Sequence, residues 1–224
     1  MGLKVVITGS TGMVGRGVLL ECLENDKVDK VVVINRYSIE MEHPKLLEVI
    51  HTDFFELWTI EHYYEEADAC FFCLGVSSNG MSKESYYQIT HDLTLKFAES
   101  FIDVNRKSTF IYVSGEGTDS SGKRGANWAR VKGKTENDLL AMSFKQAFMF
   151  RPGLIYPARG ERSRTYVYNL VYAIVRPLYP ILKLIMPGKI TTTAKVGKAM
   201  INATTNGFHS KILNTKAINE LALI

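Results

Sequence analysis

Leu3-Lys4-Val5-Val6-Ile7-Thr8-Gly9-Ser10-Thr11-Gly12-Met13-Val14-Gly15 decides the fold of this chain. Leu3 to Thr8 is a short, nearly continuous apolar run of the kind that a strand buried on both faces requires. Three glycines, each separated from the next by two residues, then turn the chain, and Val14 to Leu23 resumes with the spacing of a helix. Glycines in such a strand-turn-helix let the backbone turn sharply and bring its amides against a pyrophosphate, while the last lets the helix sit close to the strand. The N–H groups and positive end of a helix starting near Met13 complete an anion site. The pattern predicts dinucleotide binding, with Gly9, Thr11, Gly12, Met13 and Val14 as cofactor-binding residues.

Outward from this turn, strand and helix signals alternate: Lys30 to Asn35, Leu47 to Thr52, Ala69 to Gly75 followed by helical Ser82 to Val104, Thr109 to Ser114 followed by helical Trp128 to Ala141, and Ala147 to Arg151. Alternation of this kind predicts an α/β fold, a Rossmann doubly wound parallel sheet, formed by residues 1–224 as one domain. After Tyr156 the alternation lapses, and residues 157–190 are expected to form a small C-terminal helical cap over the substrate.

About twenty residues past Gly15, the second strand ends in Val33-Ile34-Asn35-Arg36, where a carboxylate would ordinarily read the adenosine ribose. Asn35 carries no charge to repel a 2′-phosphate, and Arg36 offers that phosphate a bidentate cation. NADP(H) is therefore the expected cofactor.

Taken together, these pieces resemble the atypical short-chain dehydrogenase/reductases, in the NAD(P)-binding, epimerase-like branch that includes the TIP30-type oxidoreductases. The resemblance spans roughly residues 3–157. It is carried by the glycine turn, His51-Thr52-Asp53-Phe54, Cys73-Leu74-Gly75, Tyr112-Val113-Ser114, Val131-Lys132-Gly133 with Glu136, and Phe150-Arg151-Pro152-Gly153. It implies that Asp53 lies near the adenine, that Leu74 and Gly75 line the adenosine and ribose, and that Arg151-Pro152-Gly153 lies beside the nicotinamide, with Pro152 a contact. It also implies catalytic roles for Ser114, which would orient a substrate carbonyl, and for Lys132, which would hold the nicotinamide ribose. The tyrosine that such a site places four residues before its lysine is Trp128 here.

An indole N–H does not ionise in water, so Trp128 cannot relay a proton. Three readings follow: an acceptor protonated by solvent, with hydride positioning supplying the rate; a phenol arriving from elsewhere, such as Tyr86, Tyr87 or Tyr156; or a protein that has lost turnover. The leading functional expectation is hydride transfer between NADP(H) and a small hydrophobic carbonyl or quinone. The alternative is a non-catalytic NADP(H)-sensing or scaffold protein, and a nucleotide-sugar epimerase or dehydratase stands third.

Composition narrows the rest. At 224 residues and 46% hydrophobic content, a buried core is within reach, and collagen-like or disulfide-stapled architectures are excluded. Cys22, Cys70 and Cys73 are an odd, sparse set of the kind a reducing compartment permits, and with no leader-like segment ahead of the first strand a cytoplasmic protein is expected. Cys70 and Cys73 lie three apart within one strand, on opposite faces, and cannot share a metal. The five histidines show no ligand spacing, so no metal is expected.

The net charge of +4 is unevenly spread: residues 1–150 hold 16 basic and 21 acidic side chains, and residues 151–224 hold 11 basic and 2 acidic. Residues 166–187 contain 16 apolar side chains in 22, interrupted by Arg176, Pro177, Pro180 and Lys183. Charges at that depth argue against a membrane span. A pocket wall or a peripheral contact with an anionic membrane surface both suit the stretch, whose tyrosines would sit at the interface. Nucleic acid is not expected as a partner, because the basic residues follow no reading motif.

Overall fold

Side chains on a strand alternate between its two faces, so a strand covered on both sides needs apolar residues at every position. The computed structural model describes residues 2–161 and 188–224, and its sheet follows this rule closely. From β1 (Leu3–Thr8), Val5 and Ile7 enter one core layer and Val6 the other. From β2 (Val28–Asn35), Val31 and Val33 oppose Val32 and Ile34. β3 (Leu46–Ile50) is followed by β4 (Ala69–Phe72), whose Phe71 opposes Cys70 and Phe72. β5 (Thr109–Val113) and β6 (Gln146–Arg151) repeat the pattern with Ile111, Phe148 and Phe150 against Phe110, Tyr112 and Met149.

Beyond β6, β7 (Leu154–Tyr156) and β8 (Ile190–Thr192) pair in parallel as a small separate ribbon, and β9 (Ile212–Asn214) returns to the main sheet beside β6. The main sheet has seven parallel strands in the order β3-β2-β1-β4-β5-β6-β9. Strand order reverses between β1 and β4, and an open α/β sheet binds its ligand in the crevice at the carboxyl ends of such a pair. The expected doubly wound α/β architecture is the one observed.

Helices cover both faces. The layer of Val5 and Ile7 is closed by α1 (Met13–Glu24) and, from the far end of the chain, α6 (Thr193–Asn206) and α7 (Thr215–Leu221), through Val18, Leu19, Val196, Met200 and Ile218. α1 and α6 pack side by side, Gly197 of α6 lying directly against Glu21. Past the one-turn α2 (Glu61–Tyr64) and α3 (Lys83–Tyr87), the opposite layer is closed by α4 (Leu93–Val104) and α5 (Asn127–Ala141), through Phe97, Phe101 and Leu139.

The helix expected over Ser82 to Val104 is interrupted. Ser82 caps it, its hydroxyl accepting from the Ser85 N–H at 3.0 Å, but Gln88–Asp92 form a wider turn of π type. That turn places the His91 ring between Asp92 and Asp138 of α5, each 2.7 Å from one ring nitrogen. Hydrophobic spacing does not register one extra residue per turn, so the interruption is invisible in the sequence.

Residues 154–156 and 190–192, which pair as β7 and β8, flank the expected cap. Most of that cap, with the 166–187 stretch, lies outside the described residues. Among the described residues no helix is long and apolar enough to cross a membrane.

Candidate functional site

The glycine turn closes on itself because Gly9 and Gly15 stand where a side chain would collide. Gly9 has φ of +72°, and a Cβ there would lie 2.6 Å from the Leu74 nitrogen in the turn after β4. Gly12 donates its N–H to the Gly9 carbonyl at 2.9 Å, and a Cβ on Gly15 would strike that same carbonyl. α1 therefore begins directly beneath the turn. Gly12 is its N-cap, no side chain bonds to the helix's first N–H groups, and no acidic residue stands in its first turn. Such an end presents free donors and partial positive charge to an anion. The buried Thr8 hydroxyl at the end of β1 also has no partner among the described residues.

A cavity of about 400 Å³ opens at this point, lined by Gly9, Thr11, Gly12, Asn35, Arg36, Asp53, Leu74 and Gly75 together with Tyr37, Phe54, Phe55 and Cys73. The turn after β1 and the ends of β2, β3 and β4 are thereby brought together, as the sequence reading required. Met13 and Val14 are not in the lining; they open α1 beneath the turn. The donor set fits a dinucleotide: backbone amides for a pyrophosphate, an apolar slot for adenine, and Arg36. The Arg36 guanidinium is exposed and pairs with no carboxylate among the described residues.

Asn35 does more than lack a charge. It is 3% exposed, accepts from the Ser10 hydroxyl at 2.9 Å and donates to Glu48 of β3 at 3.3 Å. Glu48 also accepts from the Ser38 hydroxyl at 2.6 Å and the Ile39 N–H at 2.9 Å. A carboxylate therefore does stand beside this corner, one strand over, with its oxygens already bonded to the protein. Its neighbour β3 offered no sequence signal for this, because the contact depends on strand register.

The second half of the site lies at the carboxyl ends of β5 and β6, outside that cavity. Ser114 is buried, and its hydroxyl donates to Glu136 at 2.5 Å and to the Phe150 carbonyl at 3.1 Å. Glu136 is fully buried and takes the Arg151 guanidinium through Nε at 3.0 and 3.1 Å and through a terminal nitrogen. Ser120 closes the network against both. The Ser114 hydroxyl thus faces a buried ion pair between α5 and β6. Glu136 and Arg151 belong to the quoted motifs, but their pairing could be found only in three dimensions.

Lys132, one turn before Glu136, donates from Nζ to the Ser114 carbonyl. Burial lowers its pKa from the usual lysine range to about 8, with Glu136 pulling in the opposite direction. Trp128, one turn earlier again, lies against Gly117, where an added Cβ would be 3.3 Å from the indole ring. Glu116 in the same loop pairs with Lys189, and Pro152 is buried beside them, its carbonyl accepting the Glu116 N–H at 2.9 Å. Ser114, Lys132 and Pro152 are therefore neighbours along one sheet edge.

Of the phenols considered from sequence, Tyr86 is 2% exposed and sits in the core, where burial raises its pKa, and Tyr87 stacks on His91 with ring centres 4.6 Å apart. Cys70 and Cys73 pack into opposite layers, as their spacing required, and burial pushes the Cys73 thiol up to about 12. No group of three His, Cys, Asp or Glu side chains gathers among the described residues.

Comparison with known proteins fits this geometry. The chain superposes on the Bordetella bronchiseptica enzyme WbmF, solved in complex with NAD+, with a TM-score of 0.69 at 16% identity, covering 99% of this chain and 77% of that one. Among curated proteins it is 28% identical over 208 residues to "Protein fmp52, mitochondrial" of Emericella nidulans, covering 89% of this chain and 86% of the relative. It is 27% identical over 160 residues to Protein HTATIP2 of Rattus norvegicus, covering 70% and 65%. FMP52 proteins of Meyerozyma guilliermondii and Saccharomyces cerevisiae are likewise named mitochondrial. The cytoplasmic location expected from sequence is corrected by these relatives: sparse cysteines and an unremarkable first strand carry no address. Residues 5–124, more than half of the chain, match the model of the NAD dependent epimerase/dehydratase family, and with the glycine turn, the parallel sheet and the switch-point cavity in place the chain belongs to that family.

Proposed function

We propose that this protein is an NADP(H)-dependent oxidoreductase that passes hydride between the nicotinamide and a small hydrophobic carbonyl or quinone. The observation that carries the reading is the division of the sheet edge. The switch-point cavity carries an Arg36 that has no carboxylate partner among the described residues, and Lys132 stands outside that cavity at the carboxyl end of β5, while the phenol position holds Trp128. When bound, the cofactor supplies the hydride. This chain's residues supply the rest: Gly9, Gly12, Met13 and Val14 present amides, Arg36 takes the 2′-phosphate, Asp53, Leu74 and Gly75 frame the adenosine, and Lys132 and Pro152 stand at the nicotinamide end. Ser114, bonded to Glu136, supports the edge beside them.

A nucleotide-sugar substrate suits the site less well, because that chemistry draws on an ionisable phenol and an indole cannot provide one. The non-catalytic alternative, an NADP(H) sensor or scaffold, draws its support from the same substitution. NADPH fluorescence titration combined with NADPH absorbance across quinones and aldehydes separates the readings. Binding with consumption supports the oxidoreductase, binding without consumption supports the sensor, and equal affinity for NADH and NADPH removes the NADP preference. The FMP52 names extend to this chain as the proposal that it works in mitochondria, tested by fractionating cells that express it at native level.

A further inference from the structure

A cation that meets a 2′-phosphate binds it best when the backbone beneath is already held in place, because ordering a side chain on binding costs affinity. The chain on either side of Arg36 is held by a single side chain, Glu48 of β3. One Glu48 oxygen accepts from the Asn35 amide at 3.3 Å and from the Ile39 N–H at 2.9 Å, and the other accepts from the Ser38 hydroxyl at 2.6 Å. Arg36 and Tyr37 are the two residues between these anchors, and both line the cavity. On the near side, Asn35 accepts from the hydroxyl of Ser10, which is buried within the glycine turn, at 2.9 Å. On the far side, the Ser38 oxygen accepts the Glu40 N–H at 3.0 Å, and Glu40 has φ of +49°. A residue other than glycine enters that region at a cost and stays there where its surroundings hold it. Ser10, Asn35, Glu48, Ser38 and Glu40 thus form one run of contacts from the glycine turn to the far side of Arg36.

We propose that Glu48 is a positioning residue for cofactor choice: by clamping Asn35, Ser38 and Ile39 it holds Arg36 where the 2′-phosphate of NADP(H) is met. The proposal rests on the NADP(H) reading above. Glu48 is not itself part of the cavity lining, so it acts through the segment it holds. A carboxylate suits the centre of the clamp because its two oxygens accept from all three donors at once, and the 2.6 Å bond to Ser38 has the length of a charge-assisted contact. No lysine or arginine lies within ion-pair distance of Glu48 among the described residues. The sign of the effect separates a clamp from a bare charge. Through space a carboxylate repels a 2′-phosphate, so a purely electrostatic Glu48 would disfavour NADPH, and its removal would raise the preference for NADPH over NADH. Removal of a clamp lowers that preference.

The test is isothermal titration of the full chain with NADPH and with NADH, read as the ratio of the two affinities. General loosening of the fold lowers both affinities together and leaves the ratio unmoved. Glu48→Ala should lower the preference for NADPH by about three- to tenfold, the cost of ordering one or two side chains on binding. Glu48→Gln should stay within about twofold of the unaltered protein, because its carbonyl oxygen accepts from Asn35 and Ile39 while its amide donates to the Ser38 oxygen. In an Arg36→Ala background, Glu48→Ala should change the ratio no further, since the clamp acts through Arg36. Should Glu48→Ala fail to fold, Ser38→Ala at its exposed position takes its place, with an expected fall of about twofold. A ratio that rises or holds in Glu48→Ala overturns the proposal, as does a Glu48→Gln protein that falls as far as the alanine variant. An undiminished effect without Arg36, or an unchanged ratio in Ser38→Ala, overturns it as well. Equal affinity of the unaltered protein for NADPH and NADH removes the NADP(H) reading itself, and the role of Glu48 falls with it.

Discussion

At the scale of single residues, Arg36 and Lys132 stand out in the candidate site because neither has a carboxylate partner among the described residues. Arg36 lines the cavity, and on the proposed NADP(H) reading it takes the 2′-phosphate, so Arg36→Ala should weaken NADPH by about 1.5–3 kcal/mol, the worth of a charge-assisted contact, and leave NADH within a factor of two or so. Isothermal titration with both nucleotides checks it, and equal losses would assign Arg36 to general electrostatics. Lys132 imposes a cost on the cofactor-free fold. Its pKa falls from 10.5 unfolded to about 8 folded, so between those values the unfolded chain binds more protons. Stability should therefore rise as pH climbs through that window, and the penalty is fully present below it. Lys132→Met should raise the unfolding free energy of the cofactor-free protein at pH 7 by roughly 1–3 kcal/mol, allowing for partial exposure of the side chain, while weakening NADPH. Denaturant unfolding at pH 7 and pH 10 reads both the magnitude and the sign.

At the scale of elements, what could be read from the sequence was what local pattern encodes. The glycine turn is a local signal, and so is the two-faced apolar character that sorted Val5 from Val6 and Cys70 from Phe71. The direction of a strand-end hydroxyl is a different kind of fact. Ser114 reads as a substrate-facing serine in one dimension and is turned toward Glu136 because α5 brings a buried carboxylate to it. Glu48 reaching Asn35 across β3, the π turn at Gln88–Asp92 and three-residue β9 share that character, since register and packing decide them. The α5–β6 junction offers the sharpest test of such a contact. Glu136→Gln would leave Arg151, itself only partly exposed, without its counter-charge, a change that costs about 3–5 kcal/mol when one member of a buried pair is removed. A loss below about 1 kcal/mol in denaturant unfolding would mean that solvent reaches the pair.

At the scale of the whole molecule, the uneven charge of the chain turns out to be partly internal stitching. Among the described residues, C-terminal Arg151 reaches Glu136, Arg159 reaches Glu21 and Glu24, and Lys189 reaches Glu116. Cations from the second part of the chain are thus spent on carboxylates of the first. Cofactor and fold are joined through the same edge. The Gly9 turn, α1 and the end of β4 meet in one cavity, so a dinucleotide binds only the folded chain and must stabilise it by mass action. NADPH at a hundred times its dissociation constant should add about 2.7 kcal/mol, which for a chain of this size is a rise of roughly 5–10 °C in Tm. NADH at the same concentration should add less, and Arg36→Ala should bring the NADPH shift down toward the NADH value. Gly15→Ala should abolish both shifts, because its methyl group would drive α1 off the Gly9 carbonyl that shapes the turn. Differential scanning fluorimetry of the three proteins with each nucleotide measures the whole set. A Gly15→Ala protein that keeps its NADPH shift would place the nucleotide somewhere other than the β1–α1 turn.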